Sequence, residues 1–293
     1  MLSPPLIRFL EQFTQDMGMH TGERLGDVRM GRGYALVTDF DGTLAPIVND
    51  PALARPLPAA VRALEVLAGA LGLVGVLSGR PVAFLREHFP IAGIELVGQY
   101  GMERLAYGGI VVDPRVEPFV RSVAEAATEA ETMWPMLLVE RKGALSVTIH
   151  WRGTPGHQPA PGALEELAAR HGLAMFDARM AAELRPPVPL DKGTALEMLL
   201  ADADRAPDSA GGLGCVVVLG DDRGDLAAFD ALDRELDDPS RESPGEMEGL
   251  RIAVRSPEAP PELLDRADVV VEGPVAVAEF LTAWAAVVGT PGS

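Results

Sequence analysis

Residues 34–40, YALVTDF, form an apolar run that ends in an aspartate, and a second aspartate follows two positions later. A buried strand that presents Asp39 and Asp41 carries a cost, because a carboxylate loses hydration energy unless a positive group pairs with it. A divalent cation such as Mg²⁺, which prefers carboxylate oxygens, would offset that cost. One acid can then attack an electrophile while the other moves protons. The pair therefore predicts a catalytic site at the end of this strand.

Strand-like and helix-like segments alternate along most of the chain, as expected for a doubly wound parallel sheet. The strand-like runs of this part are 34–40, 72–79, 94–101, 215–222, 250–256 and 267–273. The segment from about 105 to 185 has a different order of strands and helices, beginning with a strand at 108–113, which is typical of a small antiparallel α+β module. We expect an α/β fold in which this module is inserted into the parallel-sheet core.

The alternation also predicts how the chain divides. The expected parts are an N-terminal extension with a helix (1–32), a core (33–104 with 186–288), the inserted domain (105–185) and a flexible tail (289–293). An acidic, proline-containing stretch at 236–249 is predicted to be a surface loop.

Composition excludes several classes of partner. The 293 residues carry a formal net charge of -18, which argues against binding to nucleic acid or to anionic membranes. Cys215 is the single cysteine, so no intramolecular disulfide is possible, and its apolar neighbours indicate a core position. No apolar stretch reaches the roughly 18 residues of a membrane span, and the N-terminus lacks the features of a signal peptide. These features predict a cytoplasmic protein.

Polar residues follow three of the apolar runs, and another polar residue opens the helix before the third of these runs. The positions are Asp39 and Asp41, Ser78, Lys192, and the acids Asp221, Asp222 and Asp225. Each alone is explained by a turn or a helix cap, but the set in this order is not. Because parallel strands place ligands at their carboxyl ends, we expect these side chains to converge. Acids for a cation, with a hydroxyl and an ammonium for a phosphate, suit phosphoryl transfer.

The motifs DFDGT, LSGR, DKG and GDDRGD resemble, in order, the four motifs of the haloacid dehalogenase superfamily of phosphohydrolases. The resemblance implies that Asp39 is the nucleophile and forms an aspartyl phosphate. It implies that Asp41 is the general acid and base, and that Ser78 and Lys192 hold the phosphoryl oxygens. The inserted domain lies between the second and third motifs and would close over the substrate as a cap.

The same resemblance implies one Mg²⁺ ion as the cofactor. Its ligands would be Asp39, the backbone carbonyl of Asp41, and Asp221. Asp222 and Asp225 would lie behind them and orient Lys192 and the metal site.

From about residue 34 to 285 the sequence is similar to the trehalose-6-phosphate phosphatase family. The similarity is carried by DGTLAPI (41–47), GQYGME (98–103), ERKGALSVTIHWR (140–152) and ARMAAELRPPVPLDKGTAL (178–196). Polar side chains of these motifs can hydrogen-bond the hydroxyl groups of a sugar. The substrate-binding residues that the resemblance implies are Gly79, Arg80, Glu103, Lys142, His150, Arg179 and Glu183.

The chain departs from that family's pattern at several positions. Tyr100 stands where His is usual, Ala178-Arg179 replace Gly-Lys, Gly224 replaces Thr, and Leu226-Ala227 replace an acidic pair. The departures at Tyr100 and Arg179 lie near the expected sugar site. They leave open a related substrate.

The predicted function is Mg²⁺-dependent hydrolysis of trehalose 6-phosphate. One alternative is the same chemistry on another disaccharide or pseudo-disaccharide phosphate. An alternative of another class is a non-catalytic sugar-phosphate sensor, although a sensor needs no nucleophile. We expect a monomer whose partner is the sugar phosphate, with a functional link to a trehalose-6-phosphate synthase, and no nucleic acid or membrane partner.

Overall fold

The computed structural model describes residues 2–19, 31–48, 50–178, 180–206, 212–238, 247–256 and 259–289. Within these ranges the chain forms nine α-helices and twelve β-strands, and the strands belong to two sheets of eight and four strands. No helix in the same ranges is both long enough and apolar enough to cross a membrane.

Four predictions fall wholly or partly on residues outside these ranges. They concern the N-terminal extension (at 20–30), the acidic loop (at 239–246), the tail (at 290–293) and the site residue Arg179.

The larger sheet is mostly parallel. Its strands are β1 (Gly31–Thr38), β2 (Leu71–Leu77), β3 (Ile94–Gly98), β4 (Glu103–Ala106), β5 (Gly109–Val112), β10 (Cys215–Gly220), β11 (Glu248–Arg255) and β12 (Val269–Glu272). They lie in the order β12-β11-β10-β1-β2-β3-β4-β5, with parallel pairing from β12 to β3. In chain order, strands β2 to β5 are added on one side of β1, and strands β10 to β12 are added later on its other side. The order therefore reverses beside β1, where sheets of this kind bind ligands.

Helices cover both faces of this sheet, which confirms the doubly wound α/β fold. One face carries α1 (Pro4–Met19), α2 (Pro58–Ala68), α3 (Val82–His88) and α9 (Gly273–Val288), and the other carries α6 (Lys192–Asp204), α7 (Asp225–Leu236) and α8 (Pro261–Arg266). Strand β1 contributes Leu36 to the first apolar cluster and Ala35 and Val37 to the second. Since both faces are buried, the strand has to be apolar at successive positions.

The smaller sheet is antiparallel and has one polar face. Its strands are β6 (Leu138–Lys142), β7 (Ser146–His150), β8 (Ala174–Ala178) and β9 (Ala181–Arg185), in the order β6-β7-β9-β8, and its helices are α4 (Val120–Met133) and α5 (Ala163–Arg170). Val147 and Ile149 of β7 lie in the apolar cluster with these helices. Side chains alternate along a strand, so Ser146, Thr148 and His150 belong to the opposite face.

One strand lies in a different sheet from the one predicted. The sequence pattern grouped the strand near 109–112 with the inserted module, but it pairs with β4, which in turn pairs with β3 of the larger sheet. Tyr107 and Gly108 connect β4 to β5 with φ angles of 53° and 78°, the left-handed pair that a two-residue hairpin turn requires. This short hairpin ties β5 to the larger sheet. The division into core and inserted domain stays a prediction, with the inserted unit beginning after β5.

Helix α1 is part of the apolar core. The ring of Phe13 lies 4.7 Å from that of Tyr34 and 5.6 Å from that of Trp284, between ring centroids. Phe9 lies 4.9 Å from the same Trp284. Because Phe13 and Trp284 are fully buried, the helix packs on the larger sheet through α9 and β1.

We expect the substitution Phe13→Ala to lower the free energy of unfolding by about 3–5 kcal/mol, because it leaves a cavity between α1 and α9. Urea unfolding followed by circular dichroism measures this loss. Ile7→Ala on the same helix is the control, since Ile7 is 42% exposed and its loss is expected to be small. Equal effects of the two substitutions would contradict the packing assigned to α1.

Candidate active site

The residues that follow β1, β2 and β10 meet the start of α6 at one edge of the larger sheet. Asp39, Ser78 and Asp221 come directly after these three strands, and Lys192 is the first residue of α6. All four side chains are buried. The structure therefore brings together the polar residues that the sequence placed at separate strand ends.

Lys192 is surrounded by three carboxylates. Its Nζ lies 2.9 Å from Oδ1 of Asp39, 2.7 Å from Oδ1 of Asp225 and 3.6 Å from Oδ1 of Asp222. Burial lowers the pKa of Lys192, but the charges of Asp222, Asp225 and Asp39 raise it well above its usual value. The side chain is therefore a permanent ammonium group beside Asp39. Asp191 fixes the start of the helix, because its side chain accepts a hydrogen bond of 2.8 Å from the backbone N–H of Thr194.

Both carboxylate oxygens of Asp225 are already used. Oδ1 contacts Lys192, and Oδ2 accepts hydrogen bonds of 2.9 Å and 3.0 Å from the backbone N–H groups of Asp221 and Asp222. A Cβ at Gly220 would lie 2.1 Å from Cγ of Asp225, so only glycine allows this close approach. Asp225 thus holds the turn after β10 and orients Lys192.

Asp39 and Asp221 are the acids left to bind a cation. Single carboxylate oxygens of Asp39, Asp221 and Asp225 lie within 4.8 Å of one another. Because the oxygens of Asp225 have protein partners, that group is a poor ligand. Among the described residues, the hydroxyl groups of Thr43 and Ser256 make two long contacts with the Asp221 carboxylate, of 3.5 Å each.

The pKa values of these two acids are both raised, because burial outweighs the positive charge of Lys192. Burial, with the nearby Asp39 charge, raises the pKa of Asp221 to about 10. Burial also raises the pKa of Asp39 to about 6, although Lys192 acts in the opposite direction. A divalent cation between the two would stabilise both as carboxylates. The donor set of hard oxygen atoms fits Mg²⁺.

The glycine of the DFDGT motif brings backbone to the same place. Gly42 has a φ angle of 76°, and a Cβ there would lie 2.0 Å from Oδ2 of Asp221. Hydrogen bonds of 2.8 Å from the N–H of Gly42 to the carbonyl of Ala45, and of 2.9 Å from Leu44 to Phe40, close the turn. The main chain next to Asp41 therefore packs directly on the Asp221 carboxylate.

Arg80 binds Asp41. Its Nε and Nη2 donate to the two oxygens of Asp41 at 2.6 Å and 2.7 Å, which is the two-point geometry of a strong ion pair. The sequence placed Arg80 among the substrate-binding residues. In the structure it contacts the second aspartate of the DFDGT motif, and its contact with a substrate stays a prediction.

Tyr100 packs on the turn that carries Ser78. Its backbone N–H donates to the carbonyl of Ser78 at 3.0 Å, and a Cβ at Gly79 would lie 2.6 Å from the Tyr100 hydroxyl oxygen. The guanidinium of Arg185 lies 4.3 Å from the centre of the Tyr100 ring and 3.7 Å from that of Phe176. The residue that departs from the family pattern thus joins the larger sheet to the smaller one.

A second polar group lies on the smaller sheet. Lys142 lies 3.4 Å from Oε1 of Glu183, and the Ser146 hydroxyl is within 2.8 Å of the same oxygen. The hydroxyl is also 3.0 Å from Oε1 of Gln99, which follows β3 of the larger sheet. The structure therefore brings the predicted residues Lys142 and Glu183 together. The sequence analysis did not identify Ser146 or Gln99. For Ser146 the available signal was its alternation with His150 along a strand. For Gln99 the sequence held no such signal.

Two predicted sugar ligands have protein partners. An oxygen of Glu103 accepts a hydrogen bond of 2.5 Å from the backbone N–H of Val82 at the start of α3. Nε2 of His150 lies 2.8 Å from Oε2 of Glu140, a residue that the sequence did not single out. Another oxygen of Glu140 lies 3.7 Å from Arg80. His150 is thus linked to Asp41 through two intervening residues, Glu140 and Arg80.

A family model and curated relatives each match most of this chain. The family model described as trehalose-phosphatase matches residues 37–260. The trehalose-phosphate phosphatase of Mycobacterium leprae is 33% identical over 215 residues, covering 71% of this chain and 50% of the relative. The chain spans about half the length of the curated relatives it matches.

Solved structures share the fold. The C-terminal domain of Candida albicans trehalose-6-phosphate phosphatase has a TM-score of 0.69 at 21% identity, covering 94% of this chain and 96% of that domain. The C-terminal domain of the Candida albicans trehalose synthase regulatory protein has a TM-score of 0.61 at 13% identity, covering 92% and 97%. At these identities the likeness concerns the fold alone. The match of the family model over most of the sequence, with the relative at 33% identity, shows that this chain belongs to the trehalose-phosphatase family.

Proposed function

We propose that this chain is an Mg²⁺-dependent phosphatase that hydrolyses trehalose 6-phosphate to trehalose and phosphate. The observation that carries the proposal is the buried contact of Asp39 with Lys192. Beside it lies Asp221, a buried acid whose pKa is raised to about 10. A carboxylate nucleophile next to a fixed ammonium group and a cation site suits attack on a phosphate ester. The curated relatives are named for trehalose phosphate, and the Candida albicans structure is named for trehalose 6-phosphate.

The reaction would proceed in two displacements. A carboxylate oxygen of Asp39 attacks phosphorus, and the bond from phosphorus to the sugar oxygen breaks while Asp41 donates a proton to that oxygen. Asp41 then takes a proton from water as the water oxygen attacks phosphorus, and the bond from phosphorus to Asp39 breaks. The proton gained in the second step is the one donated in the next turnover, so the cycle balances.

Positioning of the phosphoryl group falls to the side chains around Asp39. The Ser78 hydroxyl and the Lys192 ammonium would hold its oxygens, with Asp222 and Asp225 keeping the ammonium in place. Asp39, Asp221 and the backbone carbonyl of Asp41 would hold Mg²⁺. When bound, Mg²⁺ supplies positive charge that stabilises the phosphoryl oxygens.

The polar face of the smaller sheet would bind the sugar. Lys142 and Glu183 lie together on this face, and their ammonium and carboxylate groups can pair with hydroxyl groups. The unit that contains this sheet would act as the cap, excluding water when it closes. Sugar contacts from Glu103 and His150 stay predictions, since both side chains have protein partners in this structure.

Two other functions remain alternatives. Another sugar phosphate as substrate is favoured by Tyr100, whose ring occupies the space beside Gly79. A sugar-phosphate sensor would need the cap face but not the Asp39 nucleophile. A monomeric state, a cytoplasmic location and a link to a trehalose-6-phosphate synthase stay predictions.

We expect the protein to release phosphate from trehalose 6-phosphate with a higher kcat/KM than from sucrose, glucose or mannose phosphates, and only with Mg²⁺. Asp39→Asn should reduce turnover by about a thousandfold or more, because the amide is not a nucleophile. Asp265→Asn, at an exposed position, is the matched control and should leave turnover unchanged. Turnover retained by Asp39→Asn would remove Asp39 as the nucleophile. Preference for another phosphate would keep the chemistry and change the substrate.

We also expect Mg²⁺ to raise the melting temperature more at alkaline than at acidic pH. Without metal, raised pKa values of about 6 for Asp39 and about 10 for Asp221 mean that the folded state holds protons that the unfolded chain has lost. Stability is therefore greatest below about pH 4 for these groups and falls as pH rises through about 6 and then toward about 10. Mg²⁺ competes with those protons, so its stabilising effect grows over the same range.

The measurement is the melting temperature with and without millimolar Mg²⁺ at several pH values. Asp221→Asn should melt at a higher temperature than the unmodified protein when metal is absent, and should lose most of the Mg²⁺ effect. Asp265→Asn should keep both. A Mg²⁺ effect that is independent of pH, or that survives in Asp221→Asn, would exclude the Asp39–Asp221 pair as the cation site.

A further inference from the structure

The guanidinium of Arg80 is held by contacts with four residues. Nε and Nη2 donate to Asp41, and Nη1 donates to the carbonyl of Pro51 at 2.8 Å. The ring of Phe84 lies beneath it, with its centre 4.8 Å from the guanidinium carbon. Glu140 of the smaller sheet approaches Nη1 to 3.7 Å. The Arg80 side chain is only 9% exposed, so it is a built-in part of the site.

The Asp41 carboxylate, by contrast, needs a neighbouring group to hold its orientation. Its side chain is 39% exposed, whereas that of Asp39 is 4% exposed. A carboxylate on a short, half-exposed side chain can turn toward solvent, and a proton donor must lie within hydrogen-bond distance of the leaving oxygen. The two-point contact with Arg80 restricts that rotation.

The contact also leaves Asp41 able to carry a proton. A carboxylate has about four lone-pair positions, and the two donors of Arg80 use one on each oxygen. Each Asp41 oxygen therefore keeps one position for the sugar oxygen or for water. Arg80 itself has no proton to give, since guanidinium groups do not deprotonate in proteins.

We propose that Arg80 is a positioning residue for Asp41 and not a ligand of the substrate phosphate. This inference rests on the proposed function, in which Asp41 is the general acid and base. Pro51 and Phe84 hold the guanidinium, the guanidinium holds the carboxylate, and the carboxylate meets the leaving sugar oxygen. A phosphate ligand would instead use donors that point toward Asp39 and Lys192, and the Nε and Nη2 donors of Arg80 are engaged with Asp41.

The test compares two esters that differ in their need for a proton. The sugar oxygen of trehalose 6-phosphate leaves only if protonated, whereas nitrophenolate leaves unaided from p-nitrophenyl phosphate. The value of kcat/KM reports the step that forms the aspartyl phosphate. For Arg80→Gln we expect kcat/KM to fall by about tenfold to a hundredfold with trehalose 6-phosphate, through kcat and not KM. With p-nitrophenyl phosphate we expect a change of about twofold or less.

Inhibition by inorganic phosphate gives a second readout. Positioning of Asp41 predicts an unchanged inhibition constant in Arg80→Gln, because the phosphate ligands are intact. A weaker inhibition constant, or equal losses of kcat/KM with both esters, would overturn the proposal and make Arg80 a phosphate ligand. Arg86→Gln, at an exposed position on the adjacent α3, is the control and should change neither ester.

A second variant, which keeps the positive charge, tests the proposal if Arg80→Gln misfolds. Arg80→Lys keeps the cation but loses the two-point geometry, so it should show the same contrast between the esters with a smaller loss. Melting curves establish that each variant is folded. If the unmodified protein fails to hydrolyse trehalose 6-phosphate, the proposed function is wrong. If the unmodified protein is active and the contrast is missing, only the role of Arg80 is wrong.

Discussion

The ammonium group of Lys192 lies buried at the first turn of α6, and the surrounding chain has to supply its counter-charges. An unpaired charge in this position would cost a large part of the stability that holds a domain together. Asp39 after β1 and Asp225 at the start of α7 supply them at 2.9 Å and 2.7 Å. Three segments that are far apart in sequence are thereby fixed relative to one another. The candidate nucleophile receives its position from the same contacts that make the buried lysine tolerable.

Those contacts leave the site short of positive charge. Lys192 is one cation among several carboxylates, and Asp225 is stabilised further by two backbone N–H groups. In the part of the chain that the structure describes, Asp221 has long contacts with two hydroxyl groups, and burial together with the charge of Asp39 raises its pKa to about 10. The negative charge that lacks a close protein partner is therefore on the Asp221 side of the site. Gly42 matters for the same reason, because any side chain there would occupy the space of the Asp221 carboxylate.

The position of the site followed from the sequence more readily than its internal contacts. Apolar runs that end in acids or a serine indicate strand ends, and parallel topology brings those ends together without further information. Which partner each side chain takes depends on rotamers and on backbone donors that no residue pattern reports. Arg80 turns to Asp41, and Glu103 bonds to the start of α3. The sequence also did not reveal which sheet β5 joins, because Tyr107-Gly108 lacks the Asn-Gly signal of a tight hairpin.

The loop after β3 joins the two ends of the proposed substrate site. Gln99, Tyr100 and Gly101 all have left-handed φ angles, of 48°, 59° and 94°. This uncommon run points Gln99 toward Ser146 of the smaller sheet and lays Tyr100 on the turn that carries Ser78. The smaller sheet and the turn that carries Ser78 are therefore contacted by adjacent residues of one loop. A change of side chain at position 100 acts on both at once, because the ring that contacts Gly79 is the ring that stacks on the arginine at the end of β9. Under the proposed function, selectivity for the sugar and placement of the phosphate would therefore be coupled through the geometry of this loop.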